Sequence, residues 1–190
     1  TSVQRRARAE EIADARSLCM VPPFDHPWII AGQGTVGLEV AEDWADVELV
    51  VAPIGGGGLC SGTAAAVKRL APDARVVGVE PEGSASMRAA LDAGEPVELD
   101  EIDTIADGLA PTRVGDLTFE HVRELVDDVV TVGDDAIRDA TALVLHRHKL
   151  VVEYSGAATV AALRSGRLGD IEGGKVCLVL SGGNLDPEIM

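Results

Sequence analysis

The chain has 190 residues, of which 46% are hydrophobic and 3% aromatic, and its 32 Asp and Glu against 16 Lys and Arg give a formal net charge of −16. This composition excludes a disordered polar chain, and it disfavours a nucleic-acid partner, which would need cationic groups to neutralise phosphates. No apolar run is long enough to span a membrane, and the polar start TSVQRRARAE is no signal peptide, so we expect a soluble cytoplasmic domain with no membrane partner.

The first elements are predicted to be a helix over residues 5–18, a stiff proline-rich loop over 22–27 and a second helix. Prolines disfavour helix in the loop, so we expect the second helix to open at Gly32–Thr35, with Thr35 as its N-cap. Because the chain has no initiator Met, we expect the first helix to be the tail of a preceding unit.

A strand–helix–strand unit comes next. The β-branched run VELVVAPI over 47–54 predicts a strand buried on both faces, followed by the glycines 55–58, a small-residue helix over 59–70 and a strand over 75–80. Two strands joined in this way are expected to be parallel with a right-handed crossover.

The remaining elements are predicted in this order: a helix over 84–93 ended by Gly94, an irregular stretch over 95–118, a strand over 127–132, a helix capped by Asp134, a helix capped by Ser155 and ended by Gly166, and a strand over 176–180 that runs into Ser181–Asn184. The alternation predicts an α/β fold, a mostly parallel twisted sheet with helices on both faces. Such sheets bind ligands outside the carboxyl ends of their strands, where both glycine-rich segments would lie.

Four consecutive glycines between a strand and a helix predict an anion site. A backbone without Cβ atoms can turn sharply and bring its N–H groups to a phosphate, and the helix N-terminus adds unpaired donors. Two nucleotide motifs are excluded: no Lys follows the loop as G-x-x-x-x-G-K-[ST] requires, and Cys60 stands where G-x-G-x-x-G needs glycine. A tight turn with close helix packing is the alternative, which we disfavour because four glycines cost entropy that packing alone rarely demands.

Cysteines and histidines carry no clear chemistry. Cys19, Cys60 and Cys177 are an odd number without a C-x-x-C pair, and the four histidines lack metal-ligand spacing. Cys60 lies at a predicted helix start, where a thiolate would be stabilised, but no base is nearby in sequence. Burial in the core is therefore the preferred interpretation for Cys60 and for Cys177.

Several blocks of sequence, taken together, resemble the serine/threonine dehydratases, which are pyridoxal-phosphate (PLP) enzymes of the tryptophan-synthase-β fold type, or fold type II, and include serine racemase. In chain order the blocks are Gly32–Thr35 (GQGT), Val51–Gly58 (VAPIGGGG), Val79–Glu82 (VEPE), Thr104–Gly108 (TIADG), Val126–Val130 (VDDVV), Lys149–Glu153 (KLVVE) and Leu180–Asn184 (LSGGN). The resemblance covers nearly the whole chain.

The resemblance implies roles for particular residues. Gly55, Gly56, Gly57, Gly58 and the amide of Leu59 would hold the cofactor phosphate. Gly108 would lie beside the cofactor ring, and Ser181 would hydrogen-bond the pyridine nitrogen without forcing it to be protonated, which favours elimination of a β-hydroxyl.

The same resemblance implies a divalent-cation site made by a Glu, a backbone carbonyl and an Asp. Their places here are Glu80, Ser84 and Ser86, so the third ligand is missing. We therefore expect no strong metal binding but at most a weak site at Glu80 and Ser84, where water could complete the oxygen shell. Taken without the resemblance, Glu80 is the polar end of a strand.

The Schiff-base lysine of such enzymes has no counterpart here. In the family it lies in an S-x-K-x-R-G motif upstream of every matched block, and the only lysines present, Lys68, Lys149 and Lys175, lack that context. The loop that grips the substrate carboxylate is missing too. We therefore assign no catalytic residue in this chain, and we interpret residues 1–18 as a remnant helix of a preceding small domain and residues 19–190 as a partial cofactor-binding large domain.

The resulting hypothesis is a portion of a PLP-dependent L-threonine or L-serine dehydratase, which yields a 2-oxo acid and ammonia, inactive by itself and homo-oligomeric in its parent. Racemases of serine or aspartate and dehydratases of hydroxyaspartate or phenylserine share the same blocks and stay open. A stand-alone phosphate-binding or PLP-binding module without catalysis, and a split enzyme whose other half is a separate chain, are further alternatives.

Overall fold

A computed structural model describes residues 2–171 and 174–186, apart from the side chains of Ser2, Val3 and Arg6. The α-helices are α1 (Ser2–Arg16), α2 (Pro27–Asp43), α3 (Gly58–Leu70), α4 (Ser86–Ala93), α5 (Asp116–Leu125), α6 (Asp134–Leu143) and α7 (Tyr154–Arg164). The strands are β1 (Leu49–Pro53), β2 (Arg75–Pro81), β3 (Asp128–Val132) and β4 (Val176–Leu178). Short 3-10 turns cover Glu82–Ser84 and Asp107–Leu109, and a π-helical turn covers Val144–His148.

The strands form one parallel sheet in the order β3-β2-β1-β4. In register, Val51 of β1 pairs with Val77 of β2 on one side and with Leu178 of β4 on the other. The predicted α/β class and parallel sheet are therefore confirmed.

Side chains of β1 alternate between the two faces of the sheet, as the geometry of a strand requires. Leu49 and Val51 pack with residues of α6 and α7, such as Ile137 and Ala158. Val50 belongs instead to the core on the other face, beside Val67 of α3. Helices cover both faces, which explains why the sequence of β1 is apolar throughout.

The N-terminus of α2 differs from the prediction. The helix begins at Pro27 with His26 as its N-cap, whose ring nitrogen accepts the Trp28 N–H at 3.2 Å, so Thr35 lies inside the helix and the predicted Thr35 cap is wrong. Proline is compatible with the first helical position because the N–H it lacks has no intrahelical acceptor there. Gly37 serves the contact with α3, since a Cβ there would overlap the carbonyl of Thr63.

Two further capping predictions are wrong. Gly133, not Asp134, is the N-cap of α6, and the Asp134 carboxylate accepts hydrogen bonds from Thr104 Oγ1 (2.7 Å) and Ile105 N (2.9 Å). Glu153, not Ser155, is the N-cap residue of α7. In both cases a polar side chain in the first turn binds a distant loop, which local sequence cannot reveal.

The stretch predicted to be irregular contains the first residues of α5, a helix that the sequence pattern does not predict. The backbone N–H groups of Asp116, Leu117 and Thr118 donate to the carboxylate of Asp25, at 3.0 to 3.2 Å. The cap of α5 is thus supplied from a loop some ninety residues earlier in the chain. No capping signal at residue 115 marks the helix start in the sequence.

Glycines at two helix C-termini behave as predicted. Gly94 follows α4 with φ +81°, and Gly166 follows α7 with φ +66°. Around Gly166, Arg167 N donates to Ala162 O and Gly166 N to Leu163 O, which is the Schellman arrangement. No helix in the described part of the chain is both long and apolar enough to cross a bilayer.

Candidate functional site

The sheet has a topological switch point between β1 and β4. From β1 the chain continues through α3 on one face, whereas it enters β4 from α7 on the other face. The segments that leave these two strands, Gly55–Gly58 and Ser181–Asn184, therefore flank the same crevice at the carboxyl edge of the sheet. Parallel α/β sheets bind ligands in this position.

Each glycine after β1 is required by a neighbour. A Cβ at Gly55 would lie 2.9 Å from Gly108 O, one at Gly56 or Gly58 would collide with Phe24, and Gly57 has φ +96° with Thr118 against it. Packing thus explains all four glycines, so the expectation that packing alone rarely demands them is wrong here. The glycines by themselves are therefore no evidence of a phosphate.

The evidence for an anion lies in the amides of this loop. Within the described chain, the backbone N–H groups of residues 55–60 have no hydrogen-bond acceptor, and the first donor bonded within α3 is Ser61 N, to Gly57 O at 2.9 Å. Three of these amides belong to the first turn of α3, where the helix dipole favours negative charge. The loop therefore fits the phosphate group of a cofactor held by backbone donors.

Gly108 lies between the glycine loop and α7. Its carbonyl lies next to Gly55, and its N–H donates to Ser155 Oγ at 2.9 Å. A Cβ at this position would lie 2.8 Å from the Ser155 hydroxyl, so a side chain does not fit. The predicted ring-side position is thus brought directly beside the predicted phosphate loop.

Glu153 connects Gly108 to the last glycine-rich segment. Its carboxylate accepts Asn184 N at 3.1 Å, and its own N–H donates to Gly182 O at 3.0 Å. A Cβ built on Gly108 would lie 3.4 Å from a Glu153 carboxylate oxygen. Ser181, next to Gly182, has an exposed side chain. The structure therefore places all the predicted cofactor residues along one edge, while their roles toward a cofactor stay predictions.

Glu80, at the end of β2, has a structural partner. Its carboxylate accepts Met87 N at 2.7 Å and Arg88 N at 2.9 Å, which satisfies donors in the first turn of α4. Burial raises the pKa of Glu80 to about 7, against the effect of these two amides. The Ser86 hydroxyl also favours the charged carboxylate, although it does not meet hydrogen-bond geometry with any described residue.

These residues fit a divalent cation poorly. Glu80 is fully buried and its oxygens are engaged by two amides, while the Ser84 hydroxyl lies 3.5 Å from Pro111 O. A hard cation prefers several oxygen ligands with more than one carboxylate, and this set has one. We derive no chemistry through a metal here, and the weak site at Glu80 and Ser84 stays a prediction.

The lysines lie in other places. Lys68 Nζ donates to Ala74 O at 2.9 Å and to the Asp127 carboxylate at 2.7 Å, at the amino ends of β2 and β3. Lys175, just before β4, pairs with Asp46, and Lys149 Nζ donates to His146 O at 2.9 Å. Each lysine thus has a bond to the protein away from the glycine loop.

Cys60 is buried in the core, as predicted, and burial raises the pKa of its thiol to about 12. The thiol is therefore uncharged near neutral pH despite its place in the first turn of α3. Cys177 is only half-buried and packs against the core between the sheet and α3.

Four residues near the site were not singled out from the sequence: Phe24, Asp25, Thr118 and Glu153. Phe24 covers Gly56 and Gly58, and the Thr118 hydroxyl donates to Gly56 O at 2.7 Å. Only Glu153 lay in a recognised block. Phe24, Asp25 and Thr118 contact residues that are far away in sequence. A sequence pattern could reveal them only as pairs of distant positions that depend on each other.

Comparison with known proteins gives concordant matches. Residues 1–182 match the family described as pyridoxal-phosphate dependent enzyme (PALP). The catabolic L-threonine dehydratase TdcB of Escherichia coli K12 is 45% identical over 181 residues, which are 95% of this chain and 55% of that protein. The L-threonine ammonia-lyase of Thermotoga maritima is 46% identical over 178 residues, which are 94% of this chain and 44% of that protein.

A solved structure agrees with these matches. Maize serine racemase superposes with a TM-score of 0.91 at 36% identity, over 97% of this chain and 57% of that one. The chain thus spans about half the length of the curated relatives it matches. From the match over 182 residues and the identities above 40%, the chain belongs to the pyridoxal-phosphate-dependent enzyme family.

Proposed function

We propose that this chain forms most of the cofactor domain of a PLP-dependent dehydratase of L-threonine or L-serine, which releases ammonia and a 2-oxo acid. The observation that carries the proposal is the row of amides without acceptors at residues 55–59, beside Gly108 and close to Ser181–Asn184. The relatives named for L-threonine support the choice of a small hydroxylated amino acid.

In this proposal the chain binds and orients the cofactor. The amides of Gly55–Gly58 and Leu59 hold the phosphate, and Gly108 leaves room for the ring. The Ser181 hydroxyl hydrogen-bonds the pyridine nitrogen, positioned by the bonds of Glu153 to the neighbouring Gly182 and Asn184. When bound, PLP supplies the electron sink for the bonds broken at the substrate's Cα and Cβ.

Other steps need residues from outside these 190 residues. We propose that the lysine that bonds the cofactor and moves the Cα proton comes from a part of the enzyme beyond this sequence, because each lysine present is bonded elsewhere. The group that grips the substrate carboxylate would come from the same part. By this proposal the chain alone binds the cofactor without catalysis.

The binding step is tested with 4-deoxypyridoxine phosphate, which carries the cofactor's ring and phosphate but no reactive aldehyde. Equilibrium dialysis of this chain should show at least ~10-fold tighter binding of the phosphate ester than of 4-deoxypyridoxine itself. The reason is that the loop supplies backbone hydrogen-bond donors, which bind the phosphate and not the ring. Equal affinities would contradict the phosphate role of the loop.

The lysine assignment is tested separately with PLP and borohydride. We expect mass spectrometry after reduction to show no single lysine stoichiometrically modified, and the chain to release no 2-oxo acid from L-threonine. Stoichiometric modification of Lys68, Lys149 or Lys175 would contradict the assignment.

The DNA upstream of Thr1 is a second test of the lysine assignment. An open reading frame there that encodes S-x-K-x-R-G would support the assignment, whereas a start codon preceded by a terminator would favour a separate binding module.

A racemase is the second candidate, favoured by the superposition on maize serine racemase. The complete enzyme that contains this chain would distinguish the two. We expect ammonia and 2-oxo acid from L-threonine or L-serine, at a rate well above the formation of the D-amino acid, measured by chiral chromatography. Predominant D-serine or D-aspartate formation would favour the racemase.

A further inference from the structure

Thr118 is fully buried at the start of α5 and contacts the glycine loop over residues 55–58. Its Oγ1 donates to Gly56 O at 2.7 Å, with Gly115 O as a second acceptor at 3.2 Å. Its Cβ also packs against the Cα of Gly57 so closely that a Cβ there would lie only 2.8 Å away. One side chain therefore contacts both residues of the Gly56–Gly57 peptide.

The Gly56 carbonyl accepts the Thr118 hydroxyl at 2.7 Å and, at a longer distance of 3.5 Å, the Gly115 N–H, and its direction fixes that of the next amide. The chain has no cis peptide among the described residues, and in a trans peptide the C=O and the following N–H point in opposite directions. When Thr118 holds the Gly56 carbonyl toward α5, the Gly57 N–H points away from α5. This N–H is one of the donors that lack an acceptor in the described chain.

The position of Thr118 is set in turn by Asp25. Its carboxylate accepts the N–H groups of Asp116, Leu117 and Thr118 at 3.0 to 3.2 Å, which anchors the first turn of α5. On the other side of Thr118, its carbonyl accepts Ser61 Oγ of α3 at 3.2 Å. The backbone of Thr118 is therefore bonded on both sides, which places its side chain against Gly56.

We propose that Thr118 is a positioning residue for the phosphate loop: its hydroxyl orients the Gly56–Gly57 peptide so that the Gly57 N–H is presented to the phosphate group of the ligand. The inference rests on the proposed function, since it takes the amides of residues 55–59 as the phosphate donors. Thr118 itself touches neither the phosphate nor the reacting atoms.

Thr118→Val tests the proposal, because valine keeps the shape of threonine and removes the hydroxyl. We expect it to reduce the affinity for 4-deoxypyridoxine phosphate about tenfold, since it costs one oriented hydrogen bond, and to leave the affinity for 4-deoxypyridoxine unchanged. Thr118→Ser, which keeps the hydroxyl, should restore most of the preference. The ratio of the two affinities is the readout, since a purely structural loss would lower both.

Thr141→Val is the matched control. Thr141 is also buried and its hydroxyl donates to a backbone carbonyl, Ile137 O at 3.0 Å, but it lies in α6 on the other face of the sheet. This variant should keep the wild-type ratio. If Thr118→Val does not fold, Asp25→Asn takes its place, and a loss of about threefold in the ratio is expected because the helix anchor is weakened.

The outcomes separate the inference from the proposed function. A wild-type chain without preference for the phosphate ester overturns both. A wild-type preference that Thr118→Val, or Asp25→Asn in its place, retains in full overturns the positioning role of Thr118 and leaves the proposed phosphate site standing.

Discussion

The two edges of the parallel sheet use polar groups in opposite ways. At the amino ends of the strands, Lys68 and Lys175 are paired with Asp127 and Asp46, and the Asp127 carboxylate also accepts Val76 N at 2.6 Å. At the carboxyl ends, the amides of residues 55–60 have no acceptor among the described residues.

In the proposed function, the amino edge stabilises the fold and the carboxyl edge binds the ligand. At the amino edge the charged side chains of the lysines form ion pairs with aspartates of the same chain. At the carboxyl edge the donors are backbone groups, so their direction depends on how the loop is packed. We therefore expect substitutions at the amino edge to change stability alone, and substitutions at the carboxyl edge to change stability and phosphate affinity together.

Gly57→Ala should have the largest effect. The residue has φ +96°, and a new Cβ would lie 2.8 Å from Thr118 Cβ. Backbone strain and overlap together should lower the free energy of unfolding by about 3 kcal/mol. The phosphate preference should be lost as the loop shifts. Gly94→Ala is the control, because φ is +81° with nothing within 4 Å, and it should cost only about 1 kcal/mol in urea denaturation. Equal costs for the two variants would show that the contact with Thr118 is unimportant.

Glu80→Gln should remove a pH dependence of stability. The folded pKa of about 7 lies above the ordinary value of 4.5, so the folded state binds this proton more tightly than the unfolded state. The stabilisation from protonation is complete below pH 4.5 and is lost as the pH rises through 7. Between pH 5 and pH 8 the wild type should therefore lose up to about 3 kcal/mol relative to Glu80→Gln.

The measurement for Glu80 is the unfolding free energy as a function of pH, with a chelator present. Glu82→Gln is the control, since Glu82 is exposed and only weakly paired with Arg167 at 3.5 Å. Its curve should run parallel to the wild type. A Glu80→Gln curve that also runs parallel would show that Glu80 is not held in its protonated form.

Asp127→Ala should weaken the amino edge by about 2 kcal/mol, because it leaves the Val76 N–H and the Lys68 ammonium without their shared acceptor. The ratio of affinities for the phosphorylated and unphosphorylated probes should not change. Asp92→Ala, which removes only a surface pair with Arg88, should have little effect on stability. A reduced phosphate preference in Asp127→Ala would contradict the expectation that substitutions at the amino edge change stability alone.

Lys68→Met should have the smallest effect, about 1 kcal/mol or less, since the ion pair with Asp127 is partly exposed. Lys149→Met is its control, where only an exposed bond to His146 O is lost. Thermal unfolding measures the stability of both variants, and dialysis should show wild-type binding of 4-deoxypyridoxine phosphate. Weaker binding in Lys68→Met would contradict a purely structural role for this lysine.

Local patterns were sufficient for most elements of the fold. The apolar run of β1 and the glycines after α4 and α7 predict their structures correctly, because burial on both faces and positive φ act through the residue itself. Predictions of side-chain caps at Thr35, Asp134 and Ser155 were wrong. The polar side chains of Asp134 and Ser155 bind backbone groups of loops far away in sequence, and no local rule contains that choice.

The glycine loop shows the same division within one motif. From the sequence we inferred a phosphate loop because of its glycines, whereas in the structure every one of them is required by a packing neighbour. The amides without acceptors, and the hold of Thr118 on Gly56, become visible only when α5 and the loop before α2 are placed beside the loop.

The sequence by itself determined the α/β class, the order of the strands along the chain, the family and the absence of a lysine in the S-x-K-x-R-G context, since these depend on residue types and their periodicity. The tertiary structure decided which segments meet: it put β4 beside β1, brought Gly108 to Gly55 and directed Asp25 to the start of α5. The physical reason is that hydrogen-bond partners are chosen by distance in space, and a chain folded into a parallel sheet brings together residues that are far apart in sequence.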